Sequence, residues 1–235
     1  MRQLGVLLIV AGVTIAMCGC KTHQTTHKST PVDSTPITEP QPETLIAAAK
    51  PDNRPILACF GDSLTAGLGT DPGESYPDYL QAGLDARGYH YRVVNEGISG
   101  NTTKDGVGRL NTILALKPSV VIVEFGGNDG LRGLPIQDSR ANLDKIITTL
   151  QASGAKVALA GITLPPDYGP DYIKQFDATY TLLAKKHHVP MLPFLLKGVY
   201  GVSGMMQPDR THATAAGNKI VADNVLPLVL PLLKK

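Results

Sequence analysis

The chain has 235 residues, of which 43% are hydrophobic and 18% charged, the profile of a protein that buries a core. Its 22 Lys and Arg nearly balance its 20 Asp and Glu, and aromatic side chains reach only 5%, so neither a basic field nor a stacking platform exists for nucleic acid. Three cysteines, none in a CxxC pair, exclude a disulfide framework and a zinc finger.

Arg2 is the only charged side chain among the first 20 residues, and residues 4–19 are almost uninterruptedly apolar. That run falls short of the roughly 20 residues needed to span hydrocarbon. A charged start and an apolar core fit an export signal over residues 1–19. The run ends Met17-Cys18-Gly19-Cys20, which resembles a bacterial lipobox and implies lipidation of Cys20, with Cys18 as a rival acceptor. The expectation is an exported, membrane-anchored lipoprotein facing the periplasm or the cell surface. An ordinary cleaved signal and an uncleaved anchor are the alternatives, and each still exports the domain. Residues 20–53 shift to Thr, Ser, Pro, Gln and Lys, with little apolar surface to offset ordering entropy, and read as a disordered tether. His23 and His27 stand at i, i+4 within it, but no helical pattern surrounds them, so they read as solvated residues and not a metal pair.

Residues 54–235 form the expected globular domain. Segments 55–60 (PILACF), 91–95 (YRVVN), 119–125 (SVVIVEF), 156–162 (KVALAGI) and 190–194 (PMLPF) read as short strands. The near-continuous apolar character of the first, third and fourth predicts strands covered on both faces. Cys59, inside the first, reads as a small buried hydrophobe. Helical patterns lie over 75–87, 103–116, 138–153 and 171–188, with a last helix from about residue 213. Asp138 or Ser139 suits the cap of the third, and Gly154 its stop. His187 and His188 close a Lys-bearing helix end, where cations favour the dipole. Strand–helix alternation implies right-handed parallel crossovers, hence a three-layer α/β/α sandwich on a five-stranded parallel sheet. The C-terminal stretch LPLVLPLL (226–233) contains two prolines and is too short to span a bilayer, so it reads as a helix end packed on the sheet, with a membrane contact as the alternative.

In such a sheet, chemistry gathers at the carboxyl ends of the strands. The first strand is followed by Gly61-Asp62-Ser63-Leu64-Thr65, the second by Gly97-Ile98-Ser99-Gly100-Asn101-Thr102, and the third by Gly126-Gly127-Asn128-Asp129. Asp209-Arg210-Thr211-His212 precedes the last helix. Ser63 sits where the chain turns off a buried strand, the exposed position a nucleophile needs, and a serine hydroxyl needs a base such as imidazole. His212 alone among six histidines has a carboxylate three residues before it, so one turn can present Asp209 and His212 together. The backbone N–H groups of Ser63 and Gly100 and the Asn128 amide are candidate oxyanion donors, Gly100 because a missing Cβ lets its backbone approach a substrate. Asp62 reads as structural, satisfying nearby amides. Gly67-Leu68-Gly69 comes too late after its strand for a nucleotide loop, and no phosphate-loop motif follows.

Together these blocks resemble the SGNH, or GDSL-type, serine hydrolases, most closely the bacterial thioesterase I, lysophospholipase and arylesterase group. The resemblance runs from residue 56 to the C-terminus and includes 93–102 (VVNEGISGNT), 123–133 (VEFGGNDGLRG) and 164–169 (LPPDYG), the first two being far more specific than the tetrapeptide around Ser63. It implies Ser63 as nucleophile, Asp209 and His212 as its partners, and Ser63, Gly100 and Asn128 as the oxyanion hole. It also implies strand order 2-1-3-4-5 and a mobile loop over 130–135 beside an acyl pocket. Leu131, Leu134 and the adjoining Ile136 would contact the acyl chain, and the segment 164–169 after the fourth strand, Pro165 and Tyr168 included, would form another wall. Asp129 and Arg132 would organise the loop. The implied activity is hydrolysis of small-molecule acyl esters or thioesters, with larger acyl groups favoured, without metal or organic cofactor. Members of the group are commonly soluble periplasmic enzymes, whereas the lipobox and tether here imply a version attached to the membrane through its lipid anchor; a monomer that binds no nucleic acid is expected. A carbohydrate O-deacetylase on the same scaffold and a surface lipoprotein that only binds ligand are the alternatives.

Overall fold

A computed structural model describes residues 52–235. The expected export signal, Cys18, Cys20, His23, His27 and the tether up to residue 51 lie outside the described residues.

Five strands form one parallel sheet in the order β2-β1-β3-β4-β5. They are β1 (Ile56–Gly61), β2 (Arg92–Gly97), β3 (Val120–Glu124), β4 (Lys156–Ala160) and β5 (Met191–Leu192). The apolar runs explain the order: β3 is buried along its whole length, and β1 and β4 beyond their first residues. A parallel strand covered by helices on both faces has no solvent side to mark with polar residues. β2, at an edge, is only half-buried. β5, at the other edge, pairs through two residues instead of the five expected, because Pro190 and Pro193 flank it and proline has no N–H for the ladder. Cys59 lies fully buried in β1, opposite Asn95 and Ile122, as its apolar surroundings predict.

The helices are α1 (Ser63–Ala66), α2 (Tyr76–Asp85), α3 (Thr103–Gly108), α4 (Leu110–Ala115), α5 (Gly127–Leu131), α6 (Ile136–Ala152), α7 (Pro170–His187) and α8 (Ala215–Val229). α2 packs with α8 over one face of the sheet, and α6 with α3 and α7 over the other. Leu80 and Leu84 of α2, Ile146 and Leu150 of α6, and Val225 and Val229 of α8 point into the core. The end of α8 is packed as expected, with Leu226 and Val229 buried, and Leu230–Leu232 continues as a 3₁₀ turn. No described helix is long and apolar enough to cross a membrane.

Three sequence expectations need correction. The helix expected over 103–116 is two helices broken at Arg109 (φ −98°, ψ 4°). The Arg109 guanidinium turns under the sheet, donating to the carbonyls of Glu96 (3.2 Å) and Gly61 (3.1 Å) and stacking 4.9 Å over the Phe60 ring. Gly106 and Gly108 weaken the helix beside it. α6 starts two residues earlier than expected, with Pro135 before it, so Asp138 and Ser139 lie inside the first turn and neither is its cap. The Ser139 hydroxyl donates instead to Asp129 Oδ1 (3.0 Å). The His187 ring pairs with Asp144 of α6 (2.5 Å) rather than capping carbonyls, while Lys185 and Lys186 hold the last turn of α7 beside it.

Candidate active site

β1 ends at Gly61, and the chain turns at once into the single-turn helix α1. Asp62 caps that turn: its Oδ1 accepts the amide of Leu64 at 3.0 Å. The cap fixes the angle at which Ser63 leaves the sheet. The close approach is possible because Gly97, ending β2, lacks a Cβ; one there would fall 2.1 Å from the amide nitrogen of Ala66.

Ser63 Oγ stands 2.8 Å from His212 Nε2, and His212 Nδ1 stands 2.7 Å from Asp209 Oδ2. The second oxygen of Asp209 accepts the amides of Thr211 (2.9 Å) and His212 (3.1 Å). Burial would raise the Asp209 pKa, but the hydrogen bonds from the His212 ring and from these two amides bring it down to about 2. With that carboxylate ionised, Nδ1 of His212 carries its proton and Nε2 is left to accept from Ser63. Residues 149 positions apart thus form one hydrogen-bonded chain.

Behind Ser63 lies a second group of carboxyls. Glu124, the last residue of β3, is fully buried; its Oε2 accepts from Thr65 Oγ1 (2.8 Å) and from the amide of Asp62 (3.3 Å), and its Oε1 has no partner among the described residues. Burial, and then the negative charge of Asp62, push the Glu124 pKa well up. Burial also lifts Asp62 to about 6, against the opposing pull of its bonds from Leu64 and Asn128. The reading of Asp62 as a structural acceptor of amides agrees with these contacts.

The three candidate oxyanion donors border one cavity of about 340 Å³. The amides of Ser63 and Gly100 donate to no other group among the described residues. Gly100 is needed for its backbone and not for close approach, since its φ is +81° and a Cβ would meet only Arg132 Nη2 at 3.7 Å. The Asn128 amide has both N–H groups engaged, one with Asp62 Oδ2 (3.1 Å) and one with the carbonyl of Asn101 (3.0 Å). Asp129 is buried and ties α3 to α5 and α6, accepting from the Thr103 amide (2.9 Å), the Thr103 hydroxyl (2.6 Å) and Ser139. Arg132 donates to the carbonyl of Gly100 (2.9 Å), fixing the loop after α5 against the loop after β2.

Of the five residues singled out to meet or wall an acyl chain, Leu131 and Pro165 border the cavity and Leu134, Ile136 and Tyr168 do not. Tyr168 instead donates from its hydroxyl to the carbonyl of Leu131 (2.8 Å), and the Leu134 amide is tied back to Asp129 (2.9 Å). Ile136 is buried at the start of α6 and cannot reach a chain. Leu164, in the 164–169 segment expected to form a wall, borders the cavity, whereas sequence reading missed Leu68, Ile162, Phe194, Leu196 and Tyr200 there. Ile162 follows β4 at its carboxyl end and Phe194 ends the segment expected as the fifth strand, so both were open to the strand-end argument; Leu196 and Tyr200 come from a segment without periodicity. Among the described residues, no cluster of His, Cys, Asp and Glu is placed to hold a metal ion.

The family model described as GDSL-like Lipase/Acylhydrolase matches residues 59–220. Esterase TesA of Pseudomonas aeruginosa is 45% identical over 178 residues, covering 75% of this chain and 89% of that protein. Thioesterase 1/protease 1/lysophospholipase L1 of Escherichia coli K12 is 37% identical over 177 residues, covering 75% and 84%. The crystal structure of TesA superposes with a TM-score of 0.74 over 76% of this chain and 99% of that one.

Proposed function

Since the chain belongs to the GDSL-like lipase/acylhydrolase family and is an acyl ester hydrolase, we propose that it works through an acyl-enzyme on Ser63, with His212 as base and Asp209 as its orienting partner. The observation that carries this reading is the hydrogen-bonded chain Ser63–His212–Asp209 opening on a largely apolar cavity. In the first step Ser63 Oγ bonds to the acyl carbon while its proton passes to His212 Nε2. The carbonyl oxygen gains the negative charge and is met by the amides of Ser63 and Gly100. Asn128 joins them by turning one N–H from the Asn101 carbonyl to the oxyanion. The tetrahedral adduct collapses as Nε2 gives its proton to the leaving oxygen or sulfur. Water then attacks the acyl-enzyme, giving its proton to Nε2 and releasing the acid as Ser63 recovers a hydrogen.

Arylesters, acyl thioesters and lysophospholipids are the proposed substrates, on the activities for which the relatives are named and on a cavity wall rich in leucine, isoleucine and phenylalanine. All the residues invoked come from one chain, which supports a monomer as the working unit. Export and attachment through a lipidated Cys20 are proposed on the charged start, apolar run and Met17–Cys20 ending alone. Serine in place of Cys20 is then expected to release the protein to the soluble fraction.

The deciding experiment is hydrolysis of para-nitrophenyl esters from acetate to palmitate, beside a folded Ser63→Ala variant. Activity peaking at medium or long chains and absent from the variant is expected. Activity on acetate alone moves the reading to a deacetylase, and activity surviving in Ser63→Ala overturns the nucleophile.

A further inference from the structure

In the acyl transfer proposed above, the leaving oxygen must reach His212 Nε2 to take up its proton. Whatever is bonded to that oxygen therefore departs along the wall that carries His212, the turn of residues 209–212. Within that turn Arg210 has φ +57°, in the left-handed region where a Cβ is strained and glycine is at ease. The turn imposes this conformation: Asp209 Oδ1 draws in the amides of Thr211 and His212, and the Arg210 amide donates to the carbonyl of Gln207 (3.0 Å). Lys117 and His188, the other described non-glycine residues with positive φ, lie away from the cavity.

Arg210 is exposed and borders the cavity, whose other ionisable residues are Asp62, Tyr200 and His212, so that it is the one guanidinium or ammonium there. Its guanidinium has no hydrogen bond or ion pair among the described residues, although Asp209 is its chain neighbour. The contrast is Arg132 on the same rim, which is already bound to the Gly100 carbonyl. A guanidinium without a partner among the described residues, beside the group that protonates the leaving atom, has its N–H groups free to meet a ligand in the cavity. Its paired N–H groups match a planar oxyanion.

We propose that Arg210 selects acyl esters whose leaving group carries an oxyanion, an inference that rests on the esterase reading of the site. The acyl chain takes the apolar walls, and the charged leaving group lies against the 209–212 turn.

The test compares two esters of one acyl chain, para-nitrophenyl butyrate and its analogue with a carboxylate beside the nitro group. Wild type, Arg210→Gly and Arg210→Lys are assayed on both. Glycine accepts the backbone of this turn, so the substitution removes the cation without adding strain. The ratio of kcat/KM for the carboxylate ester over the neutral one is expected to fall by about three- to tenfold in Arg210→Gly, chiefly through KM, with lysine between. In wild type the ratio should also decline as salt is raised. An unchanged ratio overturns the proposal, as does an equal loss on both esters, which would make Arg210 a prop for the turn. A folded wild type that cleaves neither ester refutes the esterase reading itself, and the proposal with it.

Discussion

Asn128 donates to Asp62 Oδ2 at 3.1 Å, joining the first turn of α5 to the residue just before Ser63 across 66 positions of sequence. The bond couples the proposed oxyanion donor to the cap that aims the proposed nucleophile. Removing the Asn128 side chain therefore takes away a donor to the transition state and a contact of the ground state at once.

For Asn128→Ala the expected loss in kcat is about 10²–10³-fold, the cost of one preorganised donor. Because Asp62 is 2% exposed and loses a partner, the melting temperature should fall as well. Steady-state kinetics and thermal unfolding of the same preparation check both. Wild-type kcat would remove Asn128 from the hole.

Asp209→Asn keeps the shape but presents an amide to His212 Nδ1, so the ring can settle in the wrong tautomer. A fall in kcat of about 10³–10⁴-fold is expected, by analogy with the serine-protease triad. The carboxylate, held down to about 2, stays ionised across any ordinary assay range, so the acid limb of the wild-type pH–rate profile should not be its titration. An acid limb that survives in the residual activity of Asp209→Asn is the expected signature.

The buried pair Asp62 and Glu124 makes a prediction about stability. Their ordinary values, 3.8 and 4.5, are both raised in the folded protein, Asp62 to about 6. As pH rises from about 4 to 6 the unfolded chain releases protons that the folded chain keeps, so these groups lower stability, by at most about 1.4 kcal/mol per pH unit for each proton. Glu124→Gln takes one ionisation out of the comparison. Its melting temperature relative to wild type should climb between pH 4 and pH 6; a constant difference would mean that Glu124 does not hold a proton in the folded protein.

Tyr168 stands outside the cavity yet holds a residue of its wall through the Leu131 carbonyl. Tyr168→Phe deletes one hydrogen bond worth about 0.5–1.5 kcal/mol. For medium-chain esters KM should rise by about two- to tenfold, with little change in melting temperature. No change in KM across the chain-length series would show that this tie does not shape the wall.

The sheet was legible because buried parallel strands are written as unbroken apolar runs, and the site because its polar groups follow those runs. Ser63, Asp209 and His212 could be named from position alone, since a strand end and a three-residue spacing are local facts. α1 and α5 were not legible as helices: four or five residues show no period. The break at Arg109 was hidden because its cause, two carbonyls at the ends of β1 and β2, is distant in sequence. The same holds for Asn128, whose amide meets Asp62 and Asn101 only once the sheet has formed. Leu196 and Tyr200 reach the cavity from an irregular segment after a two-residue strand, where no pattern announces a wall.

Cys59 is the only cysteine among the described residues, and it sits at the middle of β1 with no exposed surface. Burial raises the pKa of its thiol and so suppresses the reactive thiolate. A thiol reagent can reach it only when β1 parts from its neighbours. Its labelling rate in the folded protein thus times the opening of the strand that carries Ser63, and a ligand held in the cavity should slow that clock in proportion to its occupancy.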